Sequence, residues 1–200
     1  MSDIEIGIFW CVGRNYKEHA LELNNPVPSK PLIFLKSGAC EQTGPQILLS
    51  PQCQDVHHEI EIVLLLNKEL KPSHWTLGLD LTDRKTQSEL KSKGEPWELC
   101  KSFKGSAVLG PWQELQNLQD IEQRKFQLEV NEVVRQTGNS KDMIFSFHQL
   151  LNYLQTHFPL SENDAVFTGT PAGVGPLVAG DRVKAQSGEL TVTWTVQTLN

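Results

Sequence analysis

The stretch DVHHEIEIVLLL, residues 55–66, joins two closely spaced glutamates to an apolar run that predicts a buried β-strand. In an extended chain alternate side chains share a face, so Glu59 and Glu61 lie side by side while Ile60 and Ile62 point the other way. Two carboxylates held together beside a low-dielectric core repel each other, and a divalent cation between them would relieve the repulsion. The competing interpretation is a solvent-exposed strand face on which both glutamates are hydrated.

A second apolar strand, HWTLGLDLT at residues 74–82, carries Asp80 near its end. An acid at this place either caps the following helix or binds a ligand, and Thr82 or Asp83 is better placed to cap. Asp80 is therefore a candidate third metal ligand beside the two glutamates. Three carboxylates suit a hard cation such as Mg²⁺ or Mn²⁺ better than they suit zinc.

Two histidines beside the glutamates would favour zinc if both could reach one ion. His57 and His58 are neighbours, and neighbouring strand residues face opposite sides, so they cannot both do so. The four cysteines show no Cys-x-x-Cys spacing that would add thiolate ligands. Packing and hydrogen bonding beside the strand is the expected role of the histidines.

The composition narrows the classes of function. The 200 residues carry a formal charge of −6 with no basic stripe or block, which argues against nucleic acid or an anionic membrane as a partner. No apolar run is long enough to span a bilayer, and the first residues, MSDIEIGIF, lack the pattern of a signal peptide. We expect one globular domain over residues 1–200, located in the cytoplasm.

Strand patterns dominate the chain, and three segments have helical patterns. Strands are expected in IEIGIFWCVG, KPLIFLKSG, HEIEIVLLL, HWTLGLDLT, KFQLEVNEVVRQ, DAVFTGT, DRVKAQ and ELTVTWTVQTL. Helices are expected in YKEHALELN, DRKTQSELKSKG and SFHQLLNYLQTHF, the last opened by a capping box of Ser146 and Gln149. Irregularly ordered strands with few helices between them predict a mainly β (α+β) fold, mixed or antiparallel, with a few peripheral helices.

Four blocks of sequence together resemble the fumarylacetoacetate hydrolase family, in particular its small single-domain members that act on acylpyruvates, oxaloacetate and related 2-oxo acids. The blocks are GRNYKEHALEL (13–23), HHEIEIVLL (57–65), LGLDLTDRKTQSELKSKGEPWELCKSF (77–103) and MIFSFHQLLNYLQTHFPLSENDAVFTGTPAGVG (143–175). They occur in family order and span nearly the whole chain. The resemblance implies a mixed β-roll of the family's C-terminal-domain type, a homodimer, and Mg²⁺ or Mn²⁺ held by Glu59, Glu61 and Asp80.

The resemblance also gives roles to a histidine, a glutamate and a lysine. His19 and Glu22 are neighbours on a short helix, so the carboxylate can orient the imidazole and raise its basicity; an exposed surface pair is the simpler interpretation. The family places its water-activating dyad at these two positions. Lys101 is either an edge-strand lysine that prevents aggregation or a cation that meets the substrate carboxylate or a developing enolate.

Substrate contacts are implied at three further positions. Arg84 and Gln87, one turn apart on the helix after Asp80, resemble the family's contacts to the substrate carboxylate, although a solvated helix face would show the same spacing. The turn TGTPAGVG supplies hydroxyls and free backbone N–H groups, and Thr170 is the candidate from it. This turn has neither the spacing nor the lysine of a nucleotide-binding loop.

Three departures from the family pattern bear on substrate choice. Family members usually carry a further helical stretch between the glutamate strand and the aspartate strand, whereas KELKPSHWTLGLD (68–80) runs across almost directly. Arg84 is followed by Lys85 in place of the common acid. The lysine of FLK is followed by Ser37 in place of the usual proline. None of these changes removes a proposed metal ligand.

The leading hypothesis is a divalent-metal-dependent hydrolase or lyase that breaks a carbon–carbon bond in a small 2-oxo acid. The metal would polarise the 2-oxo group and stabilise the enolate that forms. Hydrolysis of an acylpyruvate or fumarylpyruvate would also need His19 and Glu22 to activate water, whereas decarboxylation of oxaloacetate would not. The alternatives are an isomerase, decarboxylase or hydratase of aromatic meta-cleavage products, or a non-catalytic metabolite-binding member of the same fold.

Overall fold

The computed structural model describes residues 4–22 and 26–199, and β-strands form most of its regular structure. The strands are β1 (Ile8–Gly13), β2 (Leu32–Ser37), β3 (Glu41–Gln42), β4 (Gln46–Leu49), β5 (Val56–His58), β6 (Ile60–Leu66), β7 (Pro72–Asp80), β8 (Thr82–Asp83), β9 (Ala107–Leu109), β10 (Gln113–Glu114), β11 (Lys125–Val130), β12 (Val133–Asn139), β13 (Ala165–Phe167), β14 (Gly175–Pro176), β15 (Arg182–Ser187) and β16 (Leu190–Thr198). The α-helices are α1 (Lys17–Glu22), α2 (Arg84–Lys93), α3 (Glu98–Lys101) and α4 (Phe147–His157). Short 3₁₀ helices lie at Gly38–Cys40, Leu118–Asp120 and Ser140–Asp142.

The strands form a mixed main sheet and two smaller sheets. The main sheet has the order β2-β1-β13-β6-β7-β9-β3, with β10 paired to β7. Strand β1 pairs with β13 in parallel, whereas β6 is antiparallel to both β13 and β7. The second sheet has the order β12-β11-β15-β16-β4, and the third has the order β14-β5-β8. The predicted mainly β fold, mixed and with peripheral helices, is confirmed.

Strand β6 is buried along its whole length because apolar clusters cover both of its faces. Ile62 and Leu64 belong to the larger cluster, which includes the apolar side of α4. Val63 and Leu65 belong to the smaller cluster on the opposite face. Glu61 is two residues from Val63 and so shares the face of the smaller cluster. The predicted site therefore lies where this apolar face ends.

Helices are present at the three places where the sequence predicted them. The capping box of Ser146 and Gln149 opens α4, as predicted, and the side chain of Asp83 caps α2. Helix α1 corresponds to the predicted helix YKEHALELN, of which residues 23–25 lie outside the described part of the chain. None of the helices in the described residues is long and apolar enough to cross a membrane.

The connection between the glutamate strand and the aspartate strand is a short hairpin, as the sequence indicated. Residues 67–71 join β6 to β7, and the side chain of Asn67 accepts backbone N–H bonds within this turn. At the other end of the hairpin Glu61 pairs with Gly78, and Asp80 ends β7. The hairpin thus brings the acids together at the end opposite its turn.

Candidate metal centre

Three buried carboxylates meet at the open end of the β6–β7 hairpin. One oxygen from each of Glu59, Glu61 and Asp80 lies within 4.8 Å of the other two. The residues are 4%, 2% and 1% exposed. Glu59 occupies the break between β5 and β6, where its backbone carbonyl accepts the N–H of Asp80 at 2.9 Å. The interpretation of a hydrated strand face is wrong, because all three side chains are buried.

The crowding of these acids shifts two pKa values in opposite directions. Burial, followed by the charges of Asp80 and Glu59, raises the pKa of Glu61 well above its ordinary value. Burial would also raise the pKa of Glu59, but Lys101 and Arg84 hold it well below the ordinary value. Of the two glutamates, Glu61 is therefore the one whose ionised form needs a further positive charge nearby.

The predicted catalytic lysine lies among these acids. Lys101 is 3% exposed, and its Nζ lies 2.9 Å from Glu59 Oε2 and 2.6 Å from Asp80 Oδ2. A contact of 2.6 Å to Thr82 Oγ1 uses its third donor. Burial acts to lower the pKa of Lys101, but the two carboxylates outweigh it and raise the pKa, so the ammonium stays charged. The lysine lies on α3, so the edge-strand interpretation is wrong.

A second buried lysine, Lys36, is the lysine of FLK, to which the sequence analysis gave no role in the site. It is fully buried, and its Nζ forms an ion pair with Asp80 Oδ1 at 2.8 Å. It also donates to the backbone carbonyls of Leu81 and Ser106, each at 3.1 Å, and to that of Lys101. The available signal was a lone cation inside the apolar strand LIFLKS.

The two predicted substrate contacts on α2 lie beside the acids. Arg84 forms an ion pair with Glu59, and its Nη1 donates to Gln87 Oε1 at 2.7 Å. Gln87 is 4% exposed and, like Arg84, lines the same pocket as the acids. A solvated helix face is therefore excluded for Gln87. Contact between this pair and a substrate carboxylate stays a prediction.

The predicted histidine–glutamate pair is formed by a buried histidine and an exposed glutamate, so the exposed-surface interpretation is wrong for His19. His19 is 4% exposed, and its Nδ1 lies 3.2 Å from Glu22 Oε2. Glu22 Oε1 accepts the backbone N–H of Gly173 at 3.0 Å. The carboxylate is thus held by the main chain while it fixes one edge of the imidazole. Nε2 is then the ring nitrogen that can exchange a proton with a bound molecule.

Backbone N–H groups of the turn TGTPAG, after β13, bind Glu61 of the acidic cluster and Glu22 of the histidine–glutamate pair. The N–H of Gly169 donates to Glu61 Oε2 at 2.6 Å, and the N–H of Gly173 donates to Glu22. The sequence predicted free backbone N–H groups at this turn, and two of them bind site carboxylates. The turn therefore connects the proposed metal ligands to the histidine–glutamate pair.

The threonine of this turn is held by a residue that the sequence did not reveal. The hydroxyl of Thr170 donates to the carbonyl of Ile60 at 2.8 Å and accepts from Gln136 Nε2 at 2.8 Å. Gln136 is 1% exposed, and its Oε1 accepts the N–H of Ile60 at 3.1 Å and lies 2.9 Å from His58 Nδ1. Nothing in the strand VVRQTG distinguishes this glutamine from a solvated one.

The donors of this site fit a hard divalent cation. Carboxylate oxygens are ligands that Mg²⁺ and Mn²⁺ prefer, and a cation here would offset the charges that raise the pKa of Glu61. His57 Nε2 lies 3.2 Å from Asp55 Oδ2, and His58 contacts Gln136, so both histidines bond outside the acidic cluster. The expected role of the histidines is confirmed.

One pocket, called here the carboxylate pocket, contains most of the predicted site residues. Its predicted lining residues are His19, Glu59, Glu61, Asp80, Arg84, Gln87, Lys101 and Thr170, and Glu22 contacts it through His19. The lining residues not singled out from the sequence are Val12, Gly13, Arg14, Phe34, Lys91 and Trp97. Two of these, Arg14 and Lys91, are charged.

Known proteins match this chain in sequence and in fold over most of its length. The sequence profile described as Fumarylacetoacetate (FAA) hydrolase C-terminal matches residues 8–197. The mouse protein named oxaloacetate tautomerase FAHD1, mitochondrial, is 38% identical over 186 residues, which cover 88% of this chain and 84% of the relative. A candidate fumarylacetoacetate isomerase/hydrolase from Oleispira antarctica has a TM-score of 0.91 at 38% identity, covering 96% of this chain and 94% of that one. The fumarylpyruvate hydrolase of Pseudomonas aeruginosa, in complex with Mn²⁺ and pyruvate, has a TM-score of 0.89 at 29% identity, covering 97% and 91%.

Proposed function

The chain belongs to the fumarylacetoacetate hydrolase family, and we propose that it is an enzyme that uses Mg²⁺ or Mn²⁺ to break a carbon–carbon bond in a small 2-oxo acid. The observation that carries this proposal is the cluster of three buried carboxylates that shares one pocket with Lys101 and His19. Oxaloacetate is the first candidate substrate, because it appears in the name of the mouse relative. The Mn²⁺ and pyruvate bound by the Pseudomonas enzyme support the metal and the 2-oxo acid.

The acids at the inner end of the pocket and Lys101 have different proposed roles in stabilising charge. Glu59, Glu61 and Asp80 would hold the cation, which would supply Lewis-acid polarisation of the 2-oxo group when bound. Lys101 is kept charged by its two carboxylate partners and stabilises the negative charge that develops as the carbon–carbon bond breaks. Because Lys101 is buried, this interaction is stronger than the same contact would be in water.

Decarboxylation and hydrolysis can both proceed at this site, because each forms the same kind of enolate when the carbon–carbon bond breaks. In decarboxylation of oxaloacetate the C3–C4 bond breaks, its electron pair forms the C2–C3 double bond of the enolate, and CO₂ leaves. In acylpyruvate hydrolysis His19, oriented by Glu22, takes a proton from water, and the resulting hydroxide adds to the distal carbonyl before the bond breaks. Arg84 and Gln87 are proposed to bind the carboxylate next to the 2-oxo group, and Thr170 to contact the substrate from the turn TGTPAG.

A second candidate function is keto–enol tautomerisation of oxaloacetate, the activity in the name of the mouse relative. This reaction moves a proton between C3 and the oxygen on C2, shifts the double bond accordingly, and breaks no carbon–carbon bond. His19 favours it, because a buried imidazole whose orientation Glu22 fixes can carry such a proton. Loss of the ultraviolet absorbance of the enol without release of CO₂ would identify tautomerisation.

The test is turnover of oxaloacetate and acetylpyruvate by metal-stripped protein to which Mg²⁺ or Mn²⁺ is returned. Free divalent metal decarboxylates oxaloacetate slowly by itself, so the matched control is the Glu61→Gln protein at the same metal concentration. We expect the native protein to exceed this control by roughly a hundredfold or more. If the native and Glu61→Gln proteins turn over each substrate at the same rate, the proposal is contradicted and the non-catalytic metabolite-binding alternative is favoured.

We further propose that the protein is a homodimer, in which residues 1–200 of each subunit form one domain, and that it acts in the cytoplasm. Light scattering of the purified protein tests the first part, and the mass of a single chain would contradict it. Fractionation of cells that express the protein tests the second part.

A further inference from the structure

Two cations of the carboxylate pocket lack the partners that the inner cations have. Lys101 and Arg84 form ion pairs with acids of the metal centre. Arg14 and Lys91 line the same pocket, yet within residues 4–22 and 26–199 no hydrogen bond or ion pair joins either side chain to another group. The ammonium of Lys91 lies over the ring of Trp97, 5.4 Å from its centroid. Two charged donors therefore remain open to a bound anion.

The backbone holds Arg14 in a conformation that residues other than glycine rarely adopt. Its φ is 60°, in the left-handed region, and strain of this kind concentrates at functional sites. The neighbouring Asn15 is fully buried, and its amide donates to the carbonyls of Thr168 at 2.8 Å and Phe145 at 3.0 Å. These bonds tie the turn between β1 and α1 to the first residue of the turn TGTPAG and to the segment before α4. The place of Arg14 at the pocket is therefore enforced.

The cations around the pocket repel one another. Lys91 is exposed overall, but partial desolvation of its ammonium at the pocket lowers its pKa, and the charges of Arg14 and Arg84 lower the pKa further. An anion bound between Arg14 and Lys91 would relieve this repulsion. Glu59 and Asp80 are already engaged with Lys36, Lys101 and Arg84, and Glu61 accepts the N–H of Gly169 and is a proposed metal ligand, so a substrate has to supply that anion.

The pocket has a buried inner end and a more exposed rim. The acids of the metal centre and Lys101 form the inner end, and none of them is more than 4% exposed. Arg14 is half-buried and Lys91 is exposed. A 2-oxo acid whose carboxylate and 2-oxo oxygen occupy the inner end has to direct its other end towards the rim. If that other end is a second carboxylate, it meets two unpaired cations.

We propose that Arg14 and Lys91 bind the distal carboxylate of a dicarboxylic 2-oxo acid and so select dianionic substrates over monoanionic acylpyruvates. This inference rests on the proposed function, because it requires the 2-oxo end to bind at the metal centre. It has a consequence for oxaloacetate, whose distal carboxylate becomes neutral CO₂ during decarboxylation. Cations that stabilise that carboxylate oppose this loss of charge and leave proton transfer at C3 unopposed. The subsite therefore favours tautomerisation of oxaloacetate over decarboxylation.

The experiment compares Arg14→Gln and Lys91→Gln with Lys93→Gln, a control of equal charge change at the exposed end of α2, outside the pocket. For each protein kcat and KM are measured with oxaloacetate and with acetylpyruvate, which lacks the distal carboxylate. We expect the two pocket variants to raise KM for oxaloacetate roughly tenfold to a hundredfold, the range of one charged hydrogen bond. The kcat for CO₂ release should stay level or rise, and the loss of kcat/KM for acetylpyruvate should be at least about tenfold smaller.

A binding measurement separates the subsite from a general effect on the fold. Oxalate copies the metal-binding end of a 2-oxo acid and has no distal group. Its affinity at a fixed Mg²⁺ concentration, measured by calorimetry, should therefore change much less in Arg14→Gln than KM for oxaloacetate does.

Three outcomes would overturn the inference. Equal losses of kcat/KM with both substrates would mean that Arg14 and Lys91 act on the 2-oxo end or on the fold. An effect of Lys93→Gln as large as that of Lys91→Gln would mean that only the overall charge matters. Absence of turnover of either substrate by the native protein would overturn the proposed function itself, and this result is distinct from the first two.

Discussion

The charged side chains at the metal centre balance one another. Three acids and three cations meet there, namely Glu59, Glu61, Asp80, Lys36, Lys101 and Arg84. With all six ionised their net charge is zero, and a divalent cation brings it to two positive charges. The carboxylate of a 2-oxo acid bound at the inner end would offset one of these two charges, and the enolate oxygen that forms would offset the other. Since uncompensated buried charge is costly, the balance at the centre favours formation of the enolate, whereas selection of a second carboxylate depends on Arg14 and Lys91 at the rim.

At the residue scale, the histidine–glutamate pair predicts a difference between two reactions. Changing Glu22 to alanine leaves His19 without the carboxylate that orients it. Acylpyruvate hydrolysis needs activated water, so its kcat/KM should fall by roughly 10²–10⁴-fold, the range for loss of a general base. Decarboxylation of oxaloacetate needs no activated water and should fall far less. The assay is kcat/KM with acetylpyruvate and oxaloacetate.

The matched control for this prediction is Glu22→Gln. The amide oxygen can still accept the N–H of Gly173, so this variant keeps the contact with the turn while removing the charge beside His19. If the pair acts by activating water, Glu22→Gln should show the same preference for decarboxylation as Glu22→Ala. Equal losses on both substrates in the two variants would mean that the pair organises the pocket instead.

At the element scale, Gly173 in the turn TGTPAG can be compared with Gly180 outside it. The comparison separates the cost of an unusual backbone conformation from the cost of close packing. Gly173 and Gly180 have nearly the same φ, 96° and 97°. A Cβ at position 173 would meet the carbonyl oxygen of Arg135 at 2.0 Å, whereas a Cβ at position 180 would meet nothing within 4 Å. We expect Gly180→Ala to cost about 1 kcal/mol and Gly173→Ala several kcal/mol, since only the second must displace backbone.

Gly173→Ala should also impair hydrolysis, because the N–H of Gly173 positions Glu22. Urea unfolding gives the free energies of unfolding, and the acetylpyruvate assay gives the activity. Similar stability of the two alanine variants would show that the turn can shift without cost, which would contradict the structural role given to it.

The elements that the sequence predicted well are those with local signals. The capping box of α4, the side-chain cap of α2 and the buried run of β6 each depend on residues close together in the chain. The acidic cluster was also predictable, because strand alternation aligns Glu59 with Glu61 and an acid that is not needed as a cap remained at Asp80. Lys101 was predicted as a site residue, although nothing in the sequence ELCKSF indicated that it lies on a helix.

The residues that the sequence did not reveal have partners far away in the chain. Lys36 meets Asp80 across 44 positions, and Gln136 meets Ile60 across 76. A single polar residue in a strand has the same local pattern whether it is solvated or buried against such a partner. Arg14 was missed for a related reason, since its orientation depends on the bonds that Asn15 makes with distant carbonyls. Only the assembled fold supplies this information.

At the scale of the whole molecule, the short β6–β7 connection leaves the cluster of three carboxylates intact. The turn at residues 67–71 lies at one end of the hairpin, and the acids lie at the other. The pairing of Ile60 with Leu79 and of Glu61 with Gly78 sets the spacing of the acids, and it does not depend on the length of the distant turn. The lack of the family's extra helical stretch therefore does not by itself argue for loss of activity.

The final prediction concerns how metal binding stabilises the folded protein. A cation that binds the folded state alone adds about 2.7 kcal/mol at a concentration of about 100 times its Kd. For a domain of this size that corresponds to a rise in Tm of roughly 5–10 °C. We expect Mg²⁺ or Mn²⁺ to raise the Tm of the native protein by this amount and EDTA to reverse the effect, as measured by calorimetry.

Glu61→Gln tests whether this stabilisation comes from the acidic cluster. Burial and neighbouring acids raise the pKa of Glu61 in the folded state, so without metal the native protein loses stability as the pH rises above the ordinary glutamate pKa of about 4.3. Glutamine carries no charge and its oxygen can still accept the N–H of Gly169, so the metal-free variant should be at least as stable as the metal-free native protein at pH 7. The variant should show no rise in Tm with metal, while Glu69→Gln, at an exposed acid, should show the full rise. An undiminished rise in Glu61→Gln would mean that the ion binds elsewhere, and the assignment of Glu59, Glu61 and Asp80 as its ligands would have to be withdrawn.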